Sequence, residues 1–286
     1  MINWQCKLHR VYVGLFASLY LFLSFAGVAN QYDDASTEHD ETPLQVGVAA
    51  NFAQPLKKIA ELYYTQTGKQ VAITVSSSGT LYAQLMHGAN FDVFFSADIK
   101  RPQALVDVGR ISSNDIAVYA QGRLAFLTSD PSMSIEQLDD STSLNGRFAI
   151  ANPKLAPYGE AAKQYLENID KWTLIKPNLV MGKNVLQSYQ FFTTGNAKYA
   201  LVAYSLAKDE HNVTLVPAHL HAPILQGLAI TASQQRKAQA RQFVHFILSP
   251  KIQQRLPEWG YKQAVMQSGE HTSISTADLN ISDRSQ

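Results

Sequence analysis

Cysteine is nearly missing from this chain. Cys6 is the single one in 286 residues, which excludes an intrachain disulfide and any zinc or iron–sulfur site built on several thiolates. An excess of one charge is missing too. Lys and Arg number 24 against 23 Asp and Glu, a formal +1, and such balance gives no support to a general nucleic-acid surface. Charged residues are scarce at 16% while 46% of the chain is hydrophobic. That is unlike a solvated, disordered polymer and sufficient for one or two compact domains. No internal repeat is evident.

One apolar run stands out at 11–25, VYVGLFASLYLFLSF, with Lys7 and Arg10 before it and Gly27 and Ala29 after it. A basic start, an apolar stretch and small residues before a cut predict a cleavable secretory signal over 1–29. The other reading is a permanent anchor, but the run of about 15 residues is shorter than the ~20 that span a bilayer. Cys6 precedes the run and marks no lipid-anchor cut. Losing Lys7 and Arg10 from the set of 24 leaves 22 basic against 23 acidic side chains, a charge of −1 on about 257 mature residues with no cysteine.

Beyond a loose polar stretch, the apolar pattern alternates between strand and helix. LQVGVAA (44–50), QVAITVS (70–76) and FDVFFSA (91–97) read as strands. Helices are expected over 52–67, stopped by Gly68, and around Leu81, Leu85 and Met86. This order is that of a mostly parallel sheet with crossover helices. After about residue 115 the pattern shifts. IAVYA and RLAFLTS flank Gln121–Gly122, and a second α/β run follows: RFAIANP (147–153), helices over 158–167 and from 185, KYALVAY (198–204) and VTLVPA (213–218). GLAIT (227–231) and a helix over 233–248 close the folded part, and a polar tail remains. Two α/β lobes of about 100 residues each are predicted.

Open parallel sheets bind ligands beyond the carboxyl ends of their strands. Four corners offer polar or small residues there. At the first, Asn51 either meets a ligand or simply caps the helix that Pro55 starts. At the second, Ser76, Ser77 and Ser78 before Gly79 present hydroxyls and backbone N–H groups to an oxyanion, or form a solvated turn. At the third, Pro157 and Gly159 bracket Tyr158, whose phenol donates a hydrogen bond or packs at the surface. At the fourth, Val185 offers a backbone amide at a helix entry. The set holds hydroxyls, an amide, a phenol and helix N-termini, and no recurring cationic clamp. Such a pocket suits a fully ionised tetrahedral anion.

At these corners the sequence resembles the bacterial periplasmic molybdate-binding proteins, soluble receptors of molybdate ABC transporters. VGVAANF, SSSGTLYAQL, FDVFFSADIKRP and NPKLAPYGEAA carry the resemblance, which runs from about Leu44 to Tyr261. It implies a class II periplasmic binding protein fold, two α/β lobes closing on the anion like a hinged clam. The first lobe would be discontinuous (42–122 and 219–265), the second would span 123–218, and 266–286 would be the tail. The resemblance places Ala50, Asn51, Ser78, Tyr158 and Val185 at the oxyanion. Ala50 would offer a backbone N–H where the tyrosine-using branch has Thr. Tyr158 stands where that branch uses its tyrosine, and Ala203 falls where another branch places one.

The function implied is capture of molybdate, and of the near-isosteric tungstate, in the periplasm for delivery to a membrane-embedded ABC permease. The resemblance implies a monomer without catalysis, cofactor, resident metal or nucleic-acid partner. Binding of sulfate or another small oxyanion, and a sensing role in a signalling system, remain alternatives. An enzyme would need a base or nucleophile within about 3 Å of a reacting group, and none converges in the sequence. Asp92 and Asp98 read as structural residues flanking a buried strand, with Asp98 capping the next helix. His219 and His221 have HxH spacing but no evident third ligand. Lys100 and Arg101 read as a solvated helix face.

Overall fold

The computed structural model describes residues 42–140 and 144–263. The expected signal segment 1–29 and polar tail 266–286 lie outside the described residues. In chain order the strands are β1 (Leu44–Ala49), β2 (Val71–Ser76), β3 (Val93–Phe95), β4 (Ile116–Gly122), β5 (Leu124–Thr128), β6 (Phe148–Ala151), β7 (Leu179–Gly182), β8 (Tyr199–Ala203), β9 (Val213–Leu215) and β10 (Ile224–Ile230). The helices are α1 (Ala53–Thr67), α2 (Ser78–Met86), α3 (Lys100–Asp107), α4 (Ile135–Asp140), α5 (Pro157–Asn168), α6 (Trp172–Ile175), α7 (Val185–Thr193), α8 (Tyr204–Ala207), α9 (Lys237–Leu248) and α10 (Pro250–Gln253).

Two five-stranded sheets form, in the orders β2-β1-β3-β10-β4 and β7-β6-β8-β5-β9. The fold is a two-lobed α/β architecture with mixed sheets. Within each sheet the strands joined by crossover helices pair in parallel: β1 with β2 and β3, and β6 with β7 and β8. The strands on the other side run antiparallel: β10 with β3 and β4, and β5 with β8 and β9. A parallel neighbour needs a long crossover, whereas a strand arriving from the other lobe has no such constraint. Arg123 alone separates β4 in one sheet from β5 in the other, and residues 216–223 carry the chain back from β9 to β10.

The central strands are buried along nearly their whole length, as strands covered on both faces must be. β5, β6 and β8 have every residue buried. In the first lobe α1 lays Leu56, Ile59 and Tyr63 on the sheet and ends at Gly68, whose φ of 70° is the left-handed stop that glycine tolerates. Phe52 sits at the centre of an aromatic cluster. Its ring centroid is 4.7 Å from that of Tyr119 and 5.5 Å from that of Tyr261. In the second lobe Phe126, Phe148 and Tyr199 stack on one face of the sheet.

Element identity follows the apolar pattern, and the departures are local. β10 begins at Ile224, three residues before the expected GLAIT segment, because Gln226 lies inside the strand instead of ending it. α9 begins at Lys237 rather than 233, after a turn closed by Arg236 N–H to Ser233 O. The edge strand β7 had no sequence signal of its own: it is four residues long and only Gly182 is fully buried.

Candidate functional site

The four corners meet between the lobes. Ala49 and Ala97 of the first lobe lie in one buried cluster with Ala156, Tyr158, Val185 and Ala203 of the second. The lobes are closed on each other by specific bonds. Gly79 N–H donates to Leu155 O at 2.8 Å, Tyr261 Oη to Ser205 Oγ at 2.9 Å, and Lys100 pairs with Glu160 at 3.1 Å. Gly79 permits this closure for a steric reason. A Cβ there would stand 2.8 Å from Leu155 O and 3.0 Å from Leu155 Cα, both backbone atoms.

Ser78 is the first residue of α2, behind the N-cap Ser77, whose Oγ accepts from Thr80 N–H at 3.1 Å. Ser78 is 1% exposed and its Oγ accepts from Ala97 N–H at 2.8 Å. That bond occupies a lone pair and leaves the single O–H to donate. Tyr158, in the first turn of α5 after Pro157, is likewise 1% exposed, and its Oη accepts from Gln226 Nε2 at 3.2 Å. Neither hydroxyl has a protein acceptor among the described residues. Burial pushes the Tyr158 phenol well above its ordinary value of 10.0, so it keeps its proton and remains a donor.

Asn51 lies in a 3-10 turn (Ala50–Phe52) joining β1 to α1 and is 1% exposed. Its Nδ2 donates to Gln226 Oε1 at 2.7 Å and to Tyr261 Oη at 3.1 Å. Its Oδ1 has no partner, alone among the buried side-chain polar atoms of the described residues. The side chain does not cap α1: the cap residue is Phe52, with no side-chain bond. Ala50 precedes Asn51 in the same turn, which packs beside α7. Val185 is the first residue of α7, so its N–H has no partner within the helix. Asn184 takes the next donors, Oδ1 accepting from Gln187 N–H at 2.9 Å and O from Ser188 N–H at 3.3 Å.

The structure thus brings Ala50, Asn51, Ser78, Tyr158 and Val185 to one interlobe region. Three residues missing from the sequence-based set complete it. Gln226 is fully buried and links Asn51, Tyr119 and Tyr158. Tyr119 and Tyr261 contribute rings to the Phe52 cluster and hydroxyls to this network. The available signal was a Gln inside the apolar strand ILQGLAI, where a buried amide must be hydrogen-bonded.

The nearby cations are engaged elsewhere. Arg101 pairs with Asp98 and reaches Lys154 O across the cleft at 3.4 Å, so it is not the solvated side chain that its sequence suggests. Asp98 also accepts from Arg101 N–H at 3.1 Å, in the first turn of α3. Arg123 donates to Gly260 O at 3.1 Å and lies over the Tyr204 ring. Asp92 holds Arg236 at 2.9 Å and the Gln45 N–H at 2.7 Å, a structural role. His221 is largely buried with Nδ1 2.8 Å from Ala222 O, and His219 lies in the 3-10 turn (Ala218–Leu220) that His221 ends. Among the described residues no group of three or more His, Cys, Asp or Glu side chains is placed to hold a metal.

Comparison with known proteins agrees with this architecture. The family of bacterial extracellular solute-binding proteins matches residues 44–262. The molybdate-binding protein ModA of Rhodobacter capsulatus is 35% identical over 221 residues, 75% of this chain and 86% of that protein. The solved periplasmic molybdate-binding protein of Azotobacter vinelandii superposes with a TM-score of 0.70 at 32% identity, covering 76% of this chain and 98% of that one. The sulfate-binding protein SubI of Mycobacterium tuberculosis, at 13% identity and a TM-score of 0.64, shares the fold alone; it covers 79% of this chain and 88% of its own. This chain belongs to the bacterial extracellular solute-binding proteins and, within them, to the molybdate-binding family.

Proposed function

We propose that this protein captures molybdate, and tungstate equally, between its lobes in the periplasm and delivers it to an ABC permease. The family is one of solute-binding transport proteins rather than enzymes, so the process is reversible binding and hand-off without bond chemistry. The carrying observation is the state of two buried hydroxyls. Ser78 and Tyr158 each accept a bond from the protein and keep a free O–H, which suits a ligand offering only acceptors.

The ligand-facing groups we assign are the backbone N–H groups of Ala50, Asn51 and Val185 and the hydroxyls of Ser78 and Tyr158; both side-chain N–H bonds of Asn51 are committed to Gln226 and Tyr261. Neutral donors and two helix starts, at α2 and α7, spread the charge of a dianion without an ion pair. Molybdate and tungstate share size and charge, so the same donors fit both. Sulfate and phosphate are smaller and would leave some donors out of reach. The connections at Arg123 and at 216–223 would act as the hinge between a lobe of 42–122 plus 219–265 and a lobe of 123–218. Export through the 1–29 signal fits a fold without cysteine in its mature part. Titration of the mature protein with molybdate and sulfate tests the reading; tight sulfate binding with silent molybdate would overturn it.

A further inference from the structure

Gln226 occupies a position that the ligand set does not explain. It sits in β10 at the irregularity between Gln226 and Gly227 where the pairing with β4 shifts register, and it is fully buried. Its amide is held from both ends. Oε1 accepts from Asn51 Nδ2 at 2.7 Å and from Tyr119 Oη at 2.9 Å; Nε2 donates to Tyr158 Oη at 3.2 Å. The bond to Tyr158 joins the lobes, since α5 belongs to the second and β10 to the first. Gly122 leaves room for it: a Cβ there would fall 2.2 Å from Tyr158 Oη and 2.9 Å from Gln226 Nε2.

A carboxamide is directional, with an acceptor at one end and a donor at the other. With Oε1 committed to two donors, Nε2 must face Tyr158, and the Tyr158 proton must then point away from Gln226. We propose that Gln226 is a positioning residue that fixes the direction of hydrogen bonding at the site, holding Tyr158 as a donor toward the bound oxyanion. This rests on the oxyanion reading above. A carboxylate at 226 would reverse the direction. It would accept the Tyr158 proton, remove a donor from the ligand, and place a negative charge near the anion.

The test is calorimetric titration of the mature full chain with molybdate, tungstate, sulfate and phosphate, for wild type, Gln226→Leu, Gln226→Glu, Tyr158→Phe and the Gln226→Leu/Tyr158→Phe double variant. Gln226→Leu should weaken the preferred anion about tenfold or more, and the same change in the Tyr158→Phe background should cost far less, since its target hydroxyl is already gone. Gln226→Glu, nearly isosteric and suited to keeping the fold should the Leu variant melt early, should bind more tightly as pH falls while wild type stays level. Additive losses in the double variant, or a level pH profile for Gln226→Glu, would overturn the positioning role. Preferred binding of sulfate with the same coupling would sink the molybdate reading and keep the role of Gln226. Binding of none of the four anions by wild type would overturn both.

Discussion

On the first lobe, the proposed ligand-side residues Ser78 and Asn51 are positioned by that lobe's own atoms. Ala97 N–H holds the serine hydroxyl, while Gln226 Oε1 and Tyr261 Oη hold the asparagine amide. On the second lobe, Tyr158 takes its one side-chain hydrogen bond among the described residues from Gln226, across the cleft. Val185 offers a backbone N–H that needs only the start of α7. In the proposed site the first half is therefore held without closure, and the second is completed by it. An anion meeting the open protein should settle first on the Ser78 and Asn51 side. Closure then aims the phenol.

That asymmetry is open to attack at several points. The largest effect is expected for Ser78→Ala, which deletes a preformed donor to a charged ligand. About 1.5–3 kcal/mol of binding, roughly ten- to a hundredfold in affinity, should disappear. Because Ala97 N–H loses its buried acceptor in the same variant, the ligand-free protein should also melt earlier. Gly79→Ala comes next. Its Cβ would press on the Leu155 backbone, so closure should be penalised by about 1–3 kcal/mol. Small-angle scattering should show a more open ligand-free form while the melting of each lobe is retained. An unchanged affinity in Gly79→Ala would show that the lobes close less tightly than the Gly79–Leu155 bond implies.

Tyr158→Phe should cost less than Ser78→Ala, since the ring and its packing survive and a donor of the second half-site alone is lost. An equal or larger loss would reverse the order assigned to the two halves. Lys100→Met removes the exposed interlobe pair with Glu160, whose partners are 72% and 41% exposed. Such pairs contribute only about 0–1 kcal/mol, so affinity should shift little and mainly at low salt. Wild-type affinity should also stay level from about pH 7 to 9. Burial raises the Tyr158 and Tyr119 phenols well above 10.0, and a raised acid remains protonated through that range.

The same asymmetry explains what could be read without coordinates. The first-lobe donors lie in short segments next to strong strands, VAAN after β1 and SSSG after β2, so their placement at strand ends followed from the apolar pattern. Tyr158 and Val185 were legible because Pro157 and Asn184 mark helix starts. Gln226 was not, because nothing local in ILQGLAI says which residues face its amide; Asn51 is 175 positions away and Tyr158 is 68. Arg101 misled for a similar reason. Its neighbours Lys100 and Pro102 suggest an exposed helix start; Asp98 pairs with it locally, three residues back, and Lys154 O reaches it only where the lobes meet. Periodicity gave the elements, and the contacts that orient donors across the cleft are long-range and left no periodic trace.

The most direct measurement is calorimetric titration of the mature protein with molybdate, tungstate, sulfate and phosphate under one buffer condition. A cleft of neutral donors closed around a large dianion should bind molybdate and tungstate tightly and alike, with sulfate and phosphate far weaker. Tight sulfate binding beside silent molybdate would contradict it.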